Sequence, residues 1–184
     1  MSWFNDIDQI LLPRENWEEI ISHCKRKLAG EFLPGESPVK RAYGILAGVQ
    51  KVRVLKVKLV LPVKKNARNQ EPLKTYMDTV MTEHAVPSTT PLSQRGWITD
   101  PEELMECFNL CDRENLQIFG TYHMHIVPWE GDPIRDTPTL LDTVLARDSN
   151  LFSFIISMVD IEKPSMKAFF EGVIDNQTPL VIDK

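Results

Sequence analysis

A mixed α/β domain is predicted by three features of the sequence. Apolar segments of strand length occur at least five times along the 184 residues, helical periodicities are interleaved with them, and proline- or glycine-bearing stretches separate the two kinds. A chain of this length is expected to form one domain with a sizeable core, residues 1–184, with an irregular insertion at about 64–99.

The first helix follows Pro13. Trp17, Ile20, Ile21, Cys24 and Leu28 recur at helical spacing, Glu18 and Glu19 lie near its start, and Lys25, Arg26 and Lys27 lie near its end. That charge order suits the helix dipole, and Gly30 can end the helix. Residues 31–38 carry two prolines and a glycine and read as a loop. Residues 42–49 are an apolar run interrupted by Gly44 and Gly48, and residues 52–63 are rich in Val and Leu; the short interval between them predicts an antiparallel pair. Residues 64–99 hold three prolines and no sustained period beyond a short turn near residues 76–81. Asp100, Pro101 and Glu103 mark a helix start, with Glu103 able to reach back to the cap and Leu104, Cys107, Phe108 and Cys111 on one face. Residues 117–125 read as a strand, 129–138 as a loop, 139–147 as a short helix, and 152–159 and 166–173 as two further strands.

Composition narrows the function classes. Hydrophobic residues make up 42% and charged residues 26%, ordinary values for a globular protein, so a disordered chain is not expected. The net charge of −5 argues against a nucleic-acid binder, which needs cations to neutralise phosphates. No window approaches the roughly 18 apolar residues that span a bilayer. Residues 1–6 lack the basic start and apolar stretch of a signal peptide, and three cysteines make no disulfide framework, so a cytoplasmic protein is expected.

The chemistry concentrates in His123-Met124-His125 and Asp142. Residues two apart on a strand project from the same face, so the two imidazoles can lie side by side. Asp142 falls in the first turn of the following helix and can point back at the strand end. Two imidazoles and one carboxylate suit Zn²⁺, with a fourth position open to water, the mark of a catalytic zinc. The spacing is equally compatible with two surface or hydrogen-bonded histidines. A triple-histidine hydrolase pattern fails at Val127. Cys107 and Cys111, four apart on a helix, can bind metal together but read better as small core residues. The basic residues Lys51, Arg53, Lys56, Lys58, Lys64, Lys65 and Arg68 can meet an acidic partner, or form the wet side of a strand and a loop. His23 and His84 read as bystanders.

Gly120-Thr121-Tyr122-His123-Met124-His125 followed by Thr139-Leu140-Leu141-Asp142 resembles the JAMM (MPN) metalloprotease motif, HxHP and then SxxD. Pro101-Glu102-Glu103-Leu104, Gly44-Ile45-Leu46-Ala47-Gly48, Phe154-Ile155-Ile156-Ser157 and Lys167-Ala168-Phe169 resemble that family's flanking helix and strands in the same order. The resemblance implies a single three-layer MPN-like α/β domain, a mixed β-sheet flanked by helices. It implies a zinc metallopeptidase or isopeptidase that hydrolyses an amide bond at the C-terminal tail of a protein substrate, such as a ubiquitin-like or sulfur-carrier protein. His123, His125 and Asp142 would be the Zn²⁺ ligands, and Thr139 would stand where the family's serine steadies the oxyanion. Thr139 also reads as a plain helix N-cap.

Three departures qualify the match. Ile126 and Val127 intervene before Pro128, and the stretch from His125 to Thr139 is long, bringing in Trp129, Glu130, Asp132 and Asp136. Arg41 stands where the family places its catalytic glutamate, and a cation there cannot act as base. Pro34-Gly35-Glu36 resembles the Pro-x-Glu that introduces this strand in relatives, which makes Glu36 the candidate base if residues 37–41 are an insertion; otherwise Glu36 is a solvated loop residue. Glu130 and Asp132 are the other candidates. Loss of the glutamate also defines the alternative, a catalytically inactive MPN-like binding or scaffolding module.

Overall fold

The computed structural model describes residues 7–183. The segment 1–6, read above for a signal peptide, lies outside the described residues. Four helices and eight strands follow one another as β1 (Gln9–Leu12), α1 (Arg14–Ala29), β2 (Tyr43–Lys51), β3 (Val54–Pro62), α2 (Leu73–His84), α3 (Pro101–Arg113), β4 (Gln117–His125), α4 (Leu140–Ala146), β5 (Phe152–Ser157), β6 (Ser165–Phe170), β7 (Gln177–Thr178) and β8 (Leu180–Ile182). All eight strands belong to one mixed sheet in the order β7-β6-β5-β4-β2-β3-β1-β8.

The α/β class holds, but the three-layer MPN sandwich does not. The sheet curls until β8, at one end of the order, touches β6 near the other, so it forms a nearly closed, barrel-like wall. Two causes are visible. Register shifts in β2, at Leu46/Ala47 against β4 and at Ala47/Gly48 against β3, add local twist. The short strands β1, β7 and β8 lengthen the sheet at its ends, with β1 parallel to both β3 and β8. The sequence analysis did not foresee these three strands, because two to four residues carry too little periodicity to register.

One large apolar cluster fills the wall. Ile20 and Cys24 of α1 pack there against Leu12, Leu46, Val57, Phe119, Tyr122, Phe152 and Phe154. A small satellite of Ile45, Val63 and Cys107 lies under α3. The free cysteines are all buried, as small core residues. Phe108, expected on the same inward face, is exposed.

The helix boundaries follow their local chemistry. Gly30 ends α1 in left-handed backbone, and its N–H reaches the Lys27 carbonyl. The Asp100 carboxylate caps α3 through the Glu102 and Glu103 N–H groups. Glu103 does not close the box; it accepts from the Lys64 and Lys65 N–H groups at 2.8 and 2.7 Å and ties α3 to the end of β3. Residues 64–99 are more ordered than expected, since they contain α2. Only Met77 and Met81 of that helix are buried, which is why its period was faint. Arg68, read as part of a solvated basic run, is buried instead. It bonds the Asp78 carboxylate and the carbonyls of Leu92 and Arg95, organising the segment from within.

A polar cluster lies beneath α1. Glu36 accepts from Arg26 at 2.6 and 3.0 Å and from the Leu33 N–H at 2.8 Å, and its carboxylate is 3.4 Å from the fully buried Lys27 ammonium. His23 sits between them, with Nδ1 2.8 Å from the Tyr122 hydroxyl and Nε2 3.8 Å from Glu36. Burial, reinforced by Arg26, pushes His23 down from 6.5 to about 4. Burial alone would raise Glu36, but the Arg26 and Leu33 hydrogen bonds bring it from 4.5 to about 2.

Both depressed values make the fold acid-labile. Stability is present above the unfolded values and falls as pH drops, from about 6.5 to 4 through His23 and from 4.5 to about 2 through Glu36. The Glu36 shift corresponds to on the order of 3 kcal/mol. Denaturant unfolding at a series of pH values should show this slope, and His23→Gln should flatten its upper part. A flat profile between pH 7 and 4 would show that His23 is not held neutral.

Candidate metal site

β4 runs at the centre of the sheet, and its pleat sorts its side chains. Tyr122 and Met124 point into the large core. His123 and His125 therefore leave by the opposite face, at the C-terminal end of the strand. Their Nε2 atoms lie 3.2 Å apart. Asp142 approaches from α4, with Oδ1 3.1 Å from His123 Nε2 and Oδ2 3.6 Å from His125 Nε2. One donor atom from each residue falls within 4.8 Å of the others, as the spacing anticipated.

This donor set fits a zinc-sized cation. Bonds of about 2.0–2.1 Å to a tetrahedral ion place ligand atoms about 3.3 Å apart, close to the separations here. Burial pushes the His125 imidazole down despite Asp142, which favours the neutral form that ligates. Burial would raise Asp142, but His123 and His125 hold its carboxyl well below the ordinary range. His125 thus offers a lone pair and Asp142 an anion at neutral pH.

Thr139 positions the carboxylate. Its N–H and its hydroxyl both donate to Asp142 Oδ2, at 2.6 and 2.8 Å, while the Asp142 N–H reaches back to Oγ1 at 3.3 Å. This capping box starts α4 and leaves Oδ1 turned toward His123. The Thr139 hydroxyl proton is thus engaged by Asp142, so the residue acts as cap and orienter. A second support comes from Gly172, in left-handed backbone at φ 63°. A side chain there would meet the Asp142 carbonyl at 2.9 Å, and the Gly172 carbonyl accepts from Thr143 Oγ1 at 2.6 Å. Neither spacing nor period could reveal Gly172, whose role depends on two distant segments touching.

Glu36 is not part of this site. Its contacts run through His23 to the Tyr122 hydroxyl, on the core face of β4, whereas His123 and His125 leave the other face. The expected insertion geometry does not bring it round, because Arg26 and Lys27 hold it beneath α1.

Other side chains do border the triad. The Tyr43 ring stacks on His123 at 6.1 Å, and Trp97 stacks on Tyr43 at 5.7 Å. From the loop after β4, Arg135 donates to the Val127 carbonyl at 3.0 Å and lies over the Trp129 ring at 3.6 Å. Asp132 accepts from the Arg135 N–H at 2.8 Å and from the Thr137 hydroxyl. Burial would raise Asp132, but those bonds, with Arg135 and His125 nearby, keep its carboxyl below its usual value. Asp136 pairs with Lys167 instead, at 2.8 Å.

No family model matches the chain, and no curated protein matches it. Among solved structures it is similar to the solution structure of protein DSY2949 from Desulfitobacterium hafniense, at 20% identity over 95% of this chain and 93% of that chain, with a TM-score of 0.61. At that identity the likeness speaks to the fold.

Thr139→Val removes the side-chain cap and the hydroxyl donor to Asp142, leaving the backbone N–H bond. It should cost about 1 kcal/mol of stability and weaken zinc binding about tenfold or more, by analogy with outer-shell partners of metal ligands. Competition against a chromophoric chelator measures the second effect. Unchanged zinc affinity would mean that Gly172 and the helix alone hold Asp142.

Proposed function

We propose that this protein is a zinc-dependent hydrolase of amide bonds, acting on an extended tail of a protein substrate. The observation that carries the reading is the convergence of His123, His125 and Asp142 on one point at the partly open end of β4. The order of the JAMM-like motifs supports the choice of an amide. His123, His125 and Asp142 would hold the zinc ion, which would supply Lewis acidity toward a carbonyl and a water molecule near neutral pH.

The chain's own residues complete the chemistry. Asp142 keeps its charge because the two imidazoles and Thr139 stabilise it, so the donor set stays intact at neutral pH. Asp132, on the loop that follows His125 and kept ionised by the Thr137 and Arg135 hydrogen bonds, is the carboxylate proposed as proton acceptor. Glu36 has no part in catalysis. Among the described residues no helix is long and apolar enough to cross a membrane.

A second reading is favoured by Arg41 and by the commitment of Glu36 to ion pairs: a zinc-binding module without hydrolytic activity. One experiment separates the two. Protein purified without chelators should carry about one zinc per chain, and Asp142→Ala should lose it. The zinc-loaded wild type should hydrolyse a fluorogenic ubiquitin-like C-terminal conjugate. Asp132→Asn should keep the zinc and lose about a hundredfold in rate, whereas Glu36→Gln should retain the rate of its folded fraction. Zinc without hydrolysis selects the silent module, and absence of zinc discards both.

A further inference from the structure

We propose that Arg41, Arg95 and Arg135 form an oxyanion subsite beside the His123–His125–Asp142 cluster. The substrate would then carry a phosphate or carboxylate group close to the bond that is cleaved. That last step rests on the hydrolase reading; the subsite itself does not.

Three separate segments bring these arginines toward the end of β4 that carries the triad. Tyr43 pairs with His123 in the antiparallel β2–β4 ladder, and Ala42 packs into the large core with Met124. Arg41 lies two residues ahead of Tyr43, before β2 begins, and continuing that alternation would put it on the Tyr43 face, toward His125. Arg95 lies two residues from Trp97, whose ring continues the stack from His123 through Tyr43. Its Nη2 is pinned to the Val86 carbonyl at 2.8 Å, which aims the rest of the group. Arg135 lies two residues beyond the loop's Pro133 and is anchored by the Val127 carbonyl, the residue two past His125.

Charge balance in this corner is incomplete. Arg135 is only 6% exposed, and its buried Nη1 has no hydrogen-bond partner among the described residues. Two carboxylates favour its charge: Asp132 stands 3.8 Å away and already accepts from Thr137 and the Arg135 N–H, and Asp142 is engaged by Thr139 and His123. No carboxylate among the described residues pairs with Arg41 or Arg95. Burial pushes the Arg41 guanidinium down, and Arg95 and Arg135 push it the same way, so the three charges act on one another. Like charges gathered in a half-buried corner are costly unless an anion joins them. Planar guanidinium forks match the paired oxygens of phosphate and carboxylate. Arg41, which as a replacement for glutamate looked like the loss of a catalytic group, is on this reading a substrate contact.

The test is calorimetric titration with two probes, inorganic phosphate and N-acetylglycine, on wild type, Arg41→Gln and Arg41→Gln/Arg95→Gln. Each protein is titrated zinc-loaded and after chelator treatment, with zinc content and circular dichroism recorded. Wild type should bind at least one probe in both states. Arg41→Gln should weaken that binding about tenfold, and the double variant further, with zinc content and spectrum unchanged. Phosphate preferred over N-acetylglycine identifies a phosphorylated substrate; the reverse identifies a chain-end carboxylate. No binding of either probe overturns the subsite, as does binding that needs zinc and survives the double substitution. Wild type that lacks zinc but binds the anion through these arginines overturns the hydrolase reading and leaves the subsite standing.

Discussion

The pleat of β4 is the constraint on which the rest of the molecule depends. In nine consecutive residues, one central strand must bury Phe119, Tyr122 and Met124 in the core and deliver His123 and His125 to the other face. Its neighbours accommodate it. Gly44 lies across from Tyr122, and a side chain there would meet the Tyr122 ring at 2.3 Å, so glycine makes room for the largest group on that face. On the far side β5 pairs in parallel along Gly120 to His125. A one-residue slip of this strand would put both histidines into apolar core, so packing energy and site geometry select the same register.

Carboxylates of similar type are divided by that pleat into separate tasks. Beneath α1, Glu36 is surrounded by Arg26 and Lys27 and joined through His23 to Tyr122, a network that holds the helix to the sheet. On the other face, Asp142 is held by Thr139 and aimed at two imidazoles. Both carboxyls are kept ionised against burial, one by guanidinium and backbone N–H, the other by histidine. The first arrangement is closed, with its lone pairs already engaged. The second leaves donor atoms converging on a point that no protein atom fills, the condition for a cation.

The loop between β4 and α4 links the two ends of the metal cluster. Its Arg135 packs on Trp129, reaches Val127 and pairs with Asp132, so a stretch that resembles an unstructured insertion in sequence is tied down at several points. Asp136 adds a pair with Lys167 of β6, and Ser157 of β5 donates to the Ile134 carbonyl.

Much of the molecule was legible from local chemistry. Helices α1 and α3 announce themselves by period, caps and the order of their charges. The HxH spacing together with Asp142 pointed to three residues whose donor atoms do converge, because a two-residue strand repeat and a capped helix start are short-range facts. Tertiary structure decided the rest. Whether Glu36 faces the histidines or α1 depends on which side of the sheet its loop enters, which no spacing encodes. The curl that replaces a flat three-layer arrangement arises from the register shifts in β2 and from the short end strands, where β1 and β8 pair residues as distant as Leu11 and Val181. Sequence determines which side chains can bind a metal or an anion; long-range packing determines which of them meet, because the energy of meeting belongs to the sheet as a whole.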